Sequence, residues 1–329
     1  MDVIVGIDLG GTNIAAGVVA ADGSRLLTFR SRPTEPEEGA DAVLRRMAGT
    51  AREAISAATA DHPDIRVLGV GIGAPGPLDT TTGVVLLTPN LGWTDMPIRQ
   101  RMADALALPT TLDNDANCAV LGEWWQGAAQ GCRDVIGLTI GTGVGGGILL
   151  NGAIHHGASD CAGEIGHSTI DAHGRRCACG NDGCVEAYAA GPAIARRAAE
   201  LIASGAESRL AAPGTGPLTA QMVYEAAELG DEVAREVVRD TAKYLGAAVA
   251  NLINIFNPEV VVLCGGVVRA GDSLFLPLRQ EVARRAFRPA VAACRIVPGS
   301  LGDAAGVYGA AKSFRQLRSS RVSHPASET

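Results

Sequence analysis

The chain has 329 residues, 47% of them hydrophobic and 19% charged, which excludes a mainly disordered polymer and suits two folded domains. A formal net charge of −7, with no obvious basic patch, argues against a nucleic-acid partner. The longest apolar segment, 245–256, is broken by Asn251 and Asn254 and falls short of the ~20 residues of a membrane span, so no membrane partner is expected. Residues 3–9 and 14–20 are apolar runs joined by Gly10-Gly11-Thr12-Asn13 and predict a β-hairpin, with a third strand at 26–32. A helix is expected over 40–59 and a buried strand over 67–74, stopped by Pro75-Gly76-Pro77. A short strand at 84–88 precedes a helix over 96–106 that carries Pro97 in its first turn. The strand 110–112 runs into Asp113-Asn114-Asp115-Ala116-Asn117 and then a helix to about Gln126. Residues 135–150 repeat the strand, glycine turn, strand pattern of the first hairpin, as an internal duplication with one copy per domain would. A Gly/Cys/His-rich loop fills 160–183, followed by helices near 192–203, 219–229 and 231–256. A strand at 260–264 ends in Gly265-Gly266, a last helix covers 304–316, and the polar tail reads as disordered.

The N-terminus lacks a basic region followed by an apolar stretch, so no signal peptide and a cytoplasmic location are expected. In that compartment the eight cysteines are thiols or metal ligands rather than disulfides. Cys177, Cys179 and Cys184, with His167 ahead of them, form a Cys₃His set of the kind that holds structural zinc, against a redox pair as the alternative. The remaining cysteines, 118, 132, 161, 264 and 294, have no such spacing and read as small packed residues. Zinc on one ring nitrogen of His167 leaves the other for a ligand, and the flanking Glu164 and Glu186 suit vicinal sugar hydroxyls.

In Asp8-Leu9-Gly10-Gly11-Thr12, paired glycines let backbone N–H groups approach phosphate oxygens, Thr12 adds a hydroxyl, and Asp8 can orient Mg²⁺ through water. A plain hairpin turn is the bland alternative. Gly141-Thr142-Gly143 offers the same chemistry after the second strand, and the two turns together suggest a clamp on a polyphosphate. Asp115, at a strand-to-helix junction, is the candidate base for phosphoryl transfer to an alcohol, with a helix cap as its structural alternative. Asn90 can donate to and accept from a hydroxyl, and Gly265-Gly266 can pass an adenosine over bare backbone; simple turns account for both as well.

These motifs together resemble the ROK family of repressors, open reading frames and kinases, from Asp8-Leu9-Gly10-Gly11-Thr12 to Gly302-Asp303-Ala304-Ala305-Gly306. The Cys-x-Cys-Gly-x-x-Gly-Cys-x-Glu stretch is the most specific element, and the pattern is most similar to bacterial glucokinases. The resemblance implies an α/β, two-domain actin/hexokinase-like (ribonuclease H-like) ATPase fold with an interdomain cleft. It implies a small domain over 1–114 joined by the helix 304–316, a large domain over 115–303 with the zinc loop, and a tail at 317–329. It implies transfer of the ATP γ-phosphoryl group to the 6-hydroxyl of glucose, with Asp115 as base. Asn90, Asn114, Asp115, Glu164, His167 and Glu186 would hold the hexose. Asp8, Gly10, Gly11, Thr12, Thr142 and Gly143 would face the phosphates and Mg²⁺, and Gly265 and Gly266 the adenosine. His167, Cys177, Cys179 and Cys184 would bind Zn²⁺, and the family pattern implies a homodimer or homotetramer. The family's repressors carry a helix-turn-helix ahead of the first strand, for which this sequence has no room. Ser159-Asp160-Cys161 departs from the glycine or alanine more usual before Ala162-Gly163-Glu164. The alternatives are a kinase of N-acetylglucosamine, N-acetylmannosamine or fructose, a sugar-responsive regulator without catalysis, a chaperone-like ATPase, and a polyphosphate donor in place of ATP.

Overall fold

A computed structural model of the chain describes residues 1–211 and 216–323. The first two strands, β1 (Asp2–Leu9) and β2 (Asn13–Ala20), form the expected antiparallel hairpin, and β3 (Leu26–Pro33) pairs with β2. Helix α1 (Ala40–Asp61) buries Val43, Leu44, Met47 and Ala51 at helical spacing. Strand β4 (Arg66–Ala74) follows, then the small antiparallel strands β5 (Leu78–Asp79), β6 (Val84–Thr88) and β7 (Trp93–Met96). Helix α2 (Ile98–Leu106) leads to β8 (Thr110–Asn114) and α3 (Asp115–Gln126). The first sheet has the order β3-β2-β1-β4-β8, with β1, β4 and β8 parallel. Val3, Val5 and Ile7 of β1 pack with Val70, Ile72, Leu112 and Met47 in its core.

After β9 (Val135–Ile140), β10 (Val144–Leu150) and β11 (Ala153–Ile154), the chain makes the Cys-rich loop and α4 (Glu186–Ala189). Helices α5 (Gly191–Ala203), α6 (Ala220–Glu228) and α7 (Glu232–Phe256) follow, with α4, α5 and α6 packed on α7. Strand β12 (Val260–Cys264), helices α8 (Asp272–Arg285) and α9 (Arg288–Ala293) and strand β13 (Arg295–Pro298) complete this part. The second sheet has the order β11-β10-β9-β12-β13, with β9, β12 and β13 parallel. Helix α10 (Ala305–Ser323) ends the described chain and packs against α3, β1 and β4. Gly71 makes this contact possible, because a Cβ there would lie 1.8 Å from the Ala310 carbonyl oxygen.

Two compact units result: Met1–Arg133 with Gly147–Gly163 and the chain from Gly299, and Asp134–Gly146 with Glu164–Pro298. The boundary thus falls after 133, not after 114. Helix α3 goes with the first unit because it is covered by α10, and Gly309 allows the fit: a Cβ there would meet the Cys118 carbonyl oxygen at 1.6 Å. The expected tail at 317–329 is corrected in part, since α10 continues through Ser323; residues 324–329 lie outside the described residues. Helices α8 and α9 and strand β13 had no counterpart among the elements expected from sequence. Cys161 is exposed rather than packed. Among the described residues no helix is long and apolar enough to cross a membrane.

Candidate active site

In the first unit, the functional side chains stand where parallel strands end. Asp8 is the penultimate residue of β1, and the glycine turn after it is closed by a Gly10 N–H to Asn13 carbonyl bond of 2.9 Å. Thr34 braces the turn from behind, its hydroxyl donating to the Gly10 carbonyl at 2.7 Å and its N–H to the Thr12 carbonyl at 2.8 Å. Asn90 sits in the 3-10 turn Pro89–Leu91 and is exposed beside Gly11, whose Cβ, if present, would lie 3.7 Å from that of Asn90.

At the end of β8, Asn114 caps α3: its Oδ1 accepts from the N–H groups of Ala116 at 2.9 Å and Asn117 at 3.2 Å. The same amide keeps Nδ2 as its donor end. Asp115 opens the helix, and its Oδ1 accepts the Ala116 N–H at 2.8 Å. The ordinary capping role in this motif therefore falls on Asn114, not Asp115. Burial, with the carboxylates of Asp115 and Asp303 nearby, pushes Asp8 up to about 7. Gly306 gives Asp8 its room, since a Cβ there would lie 2.2 Å from Asp8 Oδ2.

In the second unit, Glu164 is exposed and leads into the 3-10 turn Ile165–His167, where the His167 N–H donates to the Glu164 carbonyl at 3.1 Å. The ligand atoms of His167, Cys177, Cys179 and Cys184 all lie within 4.8 Å of one another. The Sγ atoms of Cys179 and Cys184 are 3.7 Å apart, and His167 Nδ1 is 3.8 Å from Cys177 Sγ. A disulfide needs about 2.05 Å. Tetrahedral ligands about 2.3 Å from a zinc ion stand about 3.8 Å apart, so the donor set and spacing fit that ion. Burial pushes Cys184 up to about 12 and raises Cys177, while the Asn181 backbone N–H lowers Cys179. A bound cation reverses the cost of burying such thiolates.

Glu186, at the start of α4, accepts the Val144 N–H on Oε2 at 2.9 Å, and the Cys177 thiol lies 3.7 Å from Oε1. The sulfur cluster and the glycine turn are thus joined through one carboxylate. A Cβ on Gly143 would come within 2.6 Å of Glu186 Oε2. Beside this turn opens a cleft of about 770 Å³, lined by Thr142, Gly266, Thr219, Tyr224, Gln221 and Arg269 among others. Its size suits a nucleoside. Gly265, with φ 96°, turns the chain out of β12, and a Cβ there would meet the Ile140 carbonyl oxygen at 2.4 Å.

The structure thus gathers Asp8, Gly10, Gly11, Thr12, Asn90, Asn114 and Asp115 in the first unit. It gathers Thr142, Gly143, Glu164, His167, Glu186, Gly265, Gly266, Cys177, Cys179 and Cys184 in the second. Sequence reasoning missed Asp303, Thr34 and the cleft residues of α6. The polar Asp303 ahead of an apolar helix was a usable signal; Thr34, in a strand-to-helix loop, offered none.

The ROK family model matches residues 4–316. A glucokinase of Halalkalibacterium halodurans is 39% identical over 319 residues, covering 96% of each chain. A glucokinase of Thermotoga maritima is 36% identical over 95% of this chain and 97% of its own. Among solved structures, a ROK family glucokinase from Streptomyces griseus, in complex with glucose and AMPPNP, has a TM-score of 0.81 at 34% identity and covers 95% of this chain and 99% of its own. With that match along nearly its whole length and the actin/hexokinase-like pair of sheets, the chain belongs to the ROK family.

Proposed function

We propose that the chain is an ATP-dependent hexose kinase that phosphorylates the 6-hydroxyl of glucose. The observation that carries this reading is the pairing of Asp115, at the mouth of β8, with Asp8, at the end of β1, close enough for each charge to be felt by the other. In the proposed step Asp115 takes the proton of the sugar hydroxyl. The oxygen so exposed forms a bond to the γ-phosphorus, and the bond from that phosphorus to the bridging oxygen of ADP breaks. Asp8 would hold Mg²⁺, which neutralises phosphate charge when bound, and Gly10, Gly11, Thr12, Thr142 and Gly143 offer donors to the phosphates. The adenosine occupies the cleft beside Thr142 and Gly266.

Asn90, Asn114, Glu164, His167 and Glu186 are assigned to the sugar. The names of the relatives support glucose as the acceptor. His167 Nδ1, Cys177, Cys179 and Cys184 would hold Zn²⁺, which supplies a fixed charge that orders the loop. The ring's Nε2 is then kept for the sugar. A cytoplasmic homodimer or homotetramer completes the reading.

The test is ADP release with MgATP and with polyphosphate, against glucose, fructose, mannose, N-acetylglucosamine and N-acetylmannosamine, with a control lacking sugar. Glucose with MgATP should give the highest kcat/KM. Asp115→Ala should lose turnover by about 10³-fold or more while keeping measurable glucose binding. Near-normal turnover in that variant would remove Asp115 from the base role, and turnover without sugar would point to a plain ATPase.

A further inference from the structure

Immediately before Asn114 and Asp115 stands Asp113, a carboxylate only 3% exposed and surrounded by donors from three other parts of the chain. The Asn114 N–H donates to Oδ1 at 2.8 Å, Asn117 Nδ2 reaches Oδ1 at 3.3 Å, and the Ser313 hydroxyl on α10 donates to Oδ2 at 3.1 Å. The last partner is His156, whose Nε2 lies 3.1 Å from both carboxylate oxygens. One proton on Nε2, aimed between two oxygens, fills the remaining acceptor sites of a buried carboxylate.

His156 is itself held by backbone and side-chain bonds. The Ala162 N–H donates to the His156 carbonyl at 3.1 Å, and the neighbouring His155 N–H donates to the Ile148 carbonyl at 2.8 Å. Asp160, within the Ser159-Asp160-Cys161 stretch that departs from the family pattern, accepts the Thr80 N–H at 2.9 Å and its hydroxyl at 3.0 Å. The loop that presents the imidazole is therefore fixed at several points, and it belongs to the same unit as Asp113.

We propose that His156 is a positioning residue for phosphoryl transfer: through Asp113 it locks the β8–α3 junction that carries Asn114 and Asp115. The proposal rests on the reading of Asp115 as the base. The Asp113 hydrogen bond raises His156 above its ordinary value, with the Asp113 and Asp160 charges acting in the same direction against burial. The charges acting on it are Asp113 from β8 and Asp160 from its own loop, while Asn117 from α3 and the Ser313 hydroxyl from α10 share the Asp113 carboxylate with it. Below its folded pKa the ring is an imidazolium and must donate to Asp113. As pH rises through that pKa the ion pair is lost. The tautomer with a bare Nε2 also becomes available, and it turns a lone pair toward the carboxylate.

Hydrogen–deuterium exchange on the free protein tests the lock without reference to catalysis, and steady-state kinetics tests its use. His156→Ala should speed exchange of the amides in 113–118. It should lower kcat about tenfold or more while changing KM for MgATP less than about twofold. His156→Gln places an amide N–H where Nε2 was and should restore most of both. Wild-type kcat should decline on the alkaline side, and the His156→Gln profile should lack that decline because glutamine does not titrate. Unchanged exchange in 113–118 together with wild-type kcat in His156→Ala would overturn the proposal, as would an alkaline decline shared by His156→Gln. If His156→Ala does not fold, the alkaline limb of His156→Gln decides. If Asp115→Ala stays active, the base reading fails, and the exchange data still decide whether the lock exists.

Discussion

Asp8 is the residue at which charge and geometry meet most closely. Its folded pKa of about 7 stands above the ordinary 3.8, so between those values the folded chain keeps a proton that the unfolded chain has lost. Stability therefore falls as pH rises through that window. Binding of a magnesium nucleotide favours the carboxylate and expels the proton. Accordingly, kcat/KM for MgATP should climb with pH to a midpoint near 7. Asp8→Asn should remove this limb and lower the whole profile; an unchanged limb would assign it to another group. Gly306 gives a second handle on the same carboxylate. A Cβ at 306 meets the Asp8 side chain, Oδ2 at 2.2 Å, Cγ at 2.4 Å and Cβ at 3.0 Å, and not fixed backbone among its nearest atoms, so the carboxylate must be displaced. Gly306→Ala should thus cut kcat/KM by about tenfold or more with little change in Tm. A large fall in Tm with full specific activity would show that the glycine serves packing instead.

At the scale of elements, the Cys-rich loop links the proposed zinc site to the proposed sugar side chains. Cys179 is exposed and touches no catalytic group, yet its thiol completes the set that orients His167 and, through Cys177, borders Glu186. Cys179→Ser should lower zinc content below one per chain and raise KM for glucose by about 10- to 100-fold, with a smaller effect on KM for MgATP. Full activity after complete zinc removal would separate the loop from the sugar. This loop was legible in the sequence because three cysteines and a histidine at close spacing suit metal binding and little else. The paired glycine turns were legible because each follows an apolar strand in the same pattern, and the long helices because their apolar residues recur at helical spacing. The node at Asp113 was not, because His156 and Ser313 reach it from 43 and 200 residues away and no local pattern announces such a meeting. Nor were α8 and α9: Pro277 inside the first and Pro289 at the head of the second interrupt the periodicity.

Across the whole molecule, each sheet places its third strand outermost beside the second, then the first, then two parallel strands. The repeated hairpin hinted at this duplication, but the three-segment composition of the first unit depends on where α10 returns. Phe314 of α10 is 2% exposed and clusters with Ile4, Val19 and Val307, apart from the core that α1 forms with Val3, Val5 and Ile7, so one face of the first sheet has its cover only once the last helix is in place. Phe314→Ala should cost about 3–5 kcal/mol by removing a buried ring from that cluster. Gly309→Ala should be at least as damaging, because its Cβ meets the fixed Cys118 carbonyl oxygen rather than a movable side-chain end. Both should lower Tm and speed amide exchange in β1 and β4, in contrast to Gly306→Ala one turn earlier on the same helix. Unaltered protection of β4 in both variants would mean that the first sheet holds together without α10.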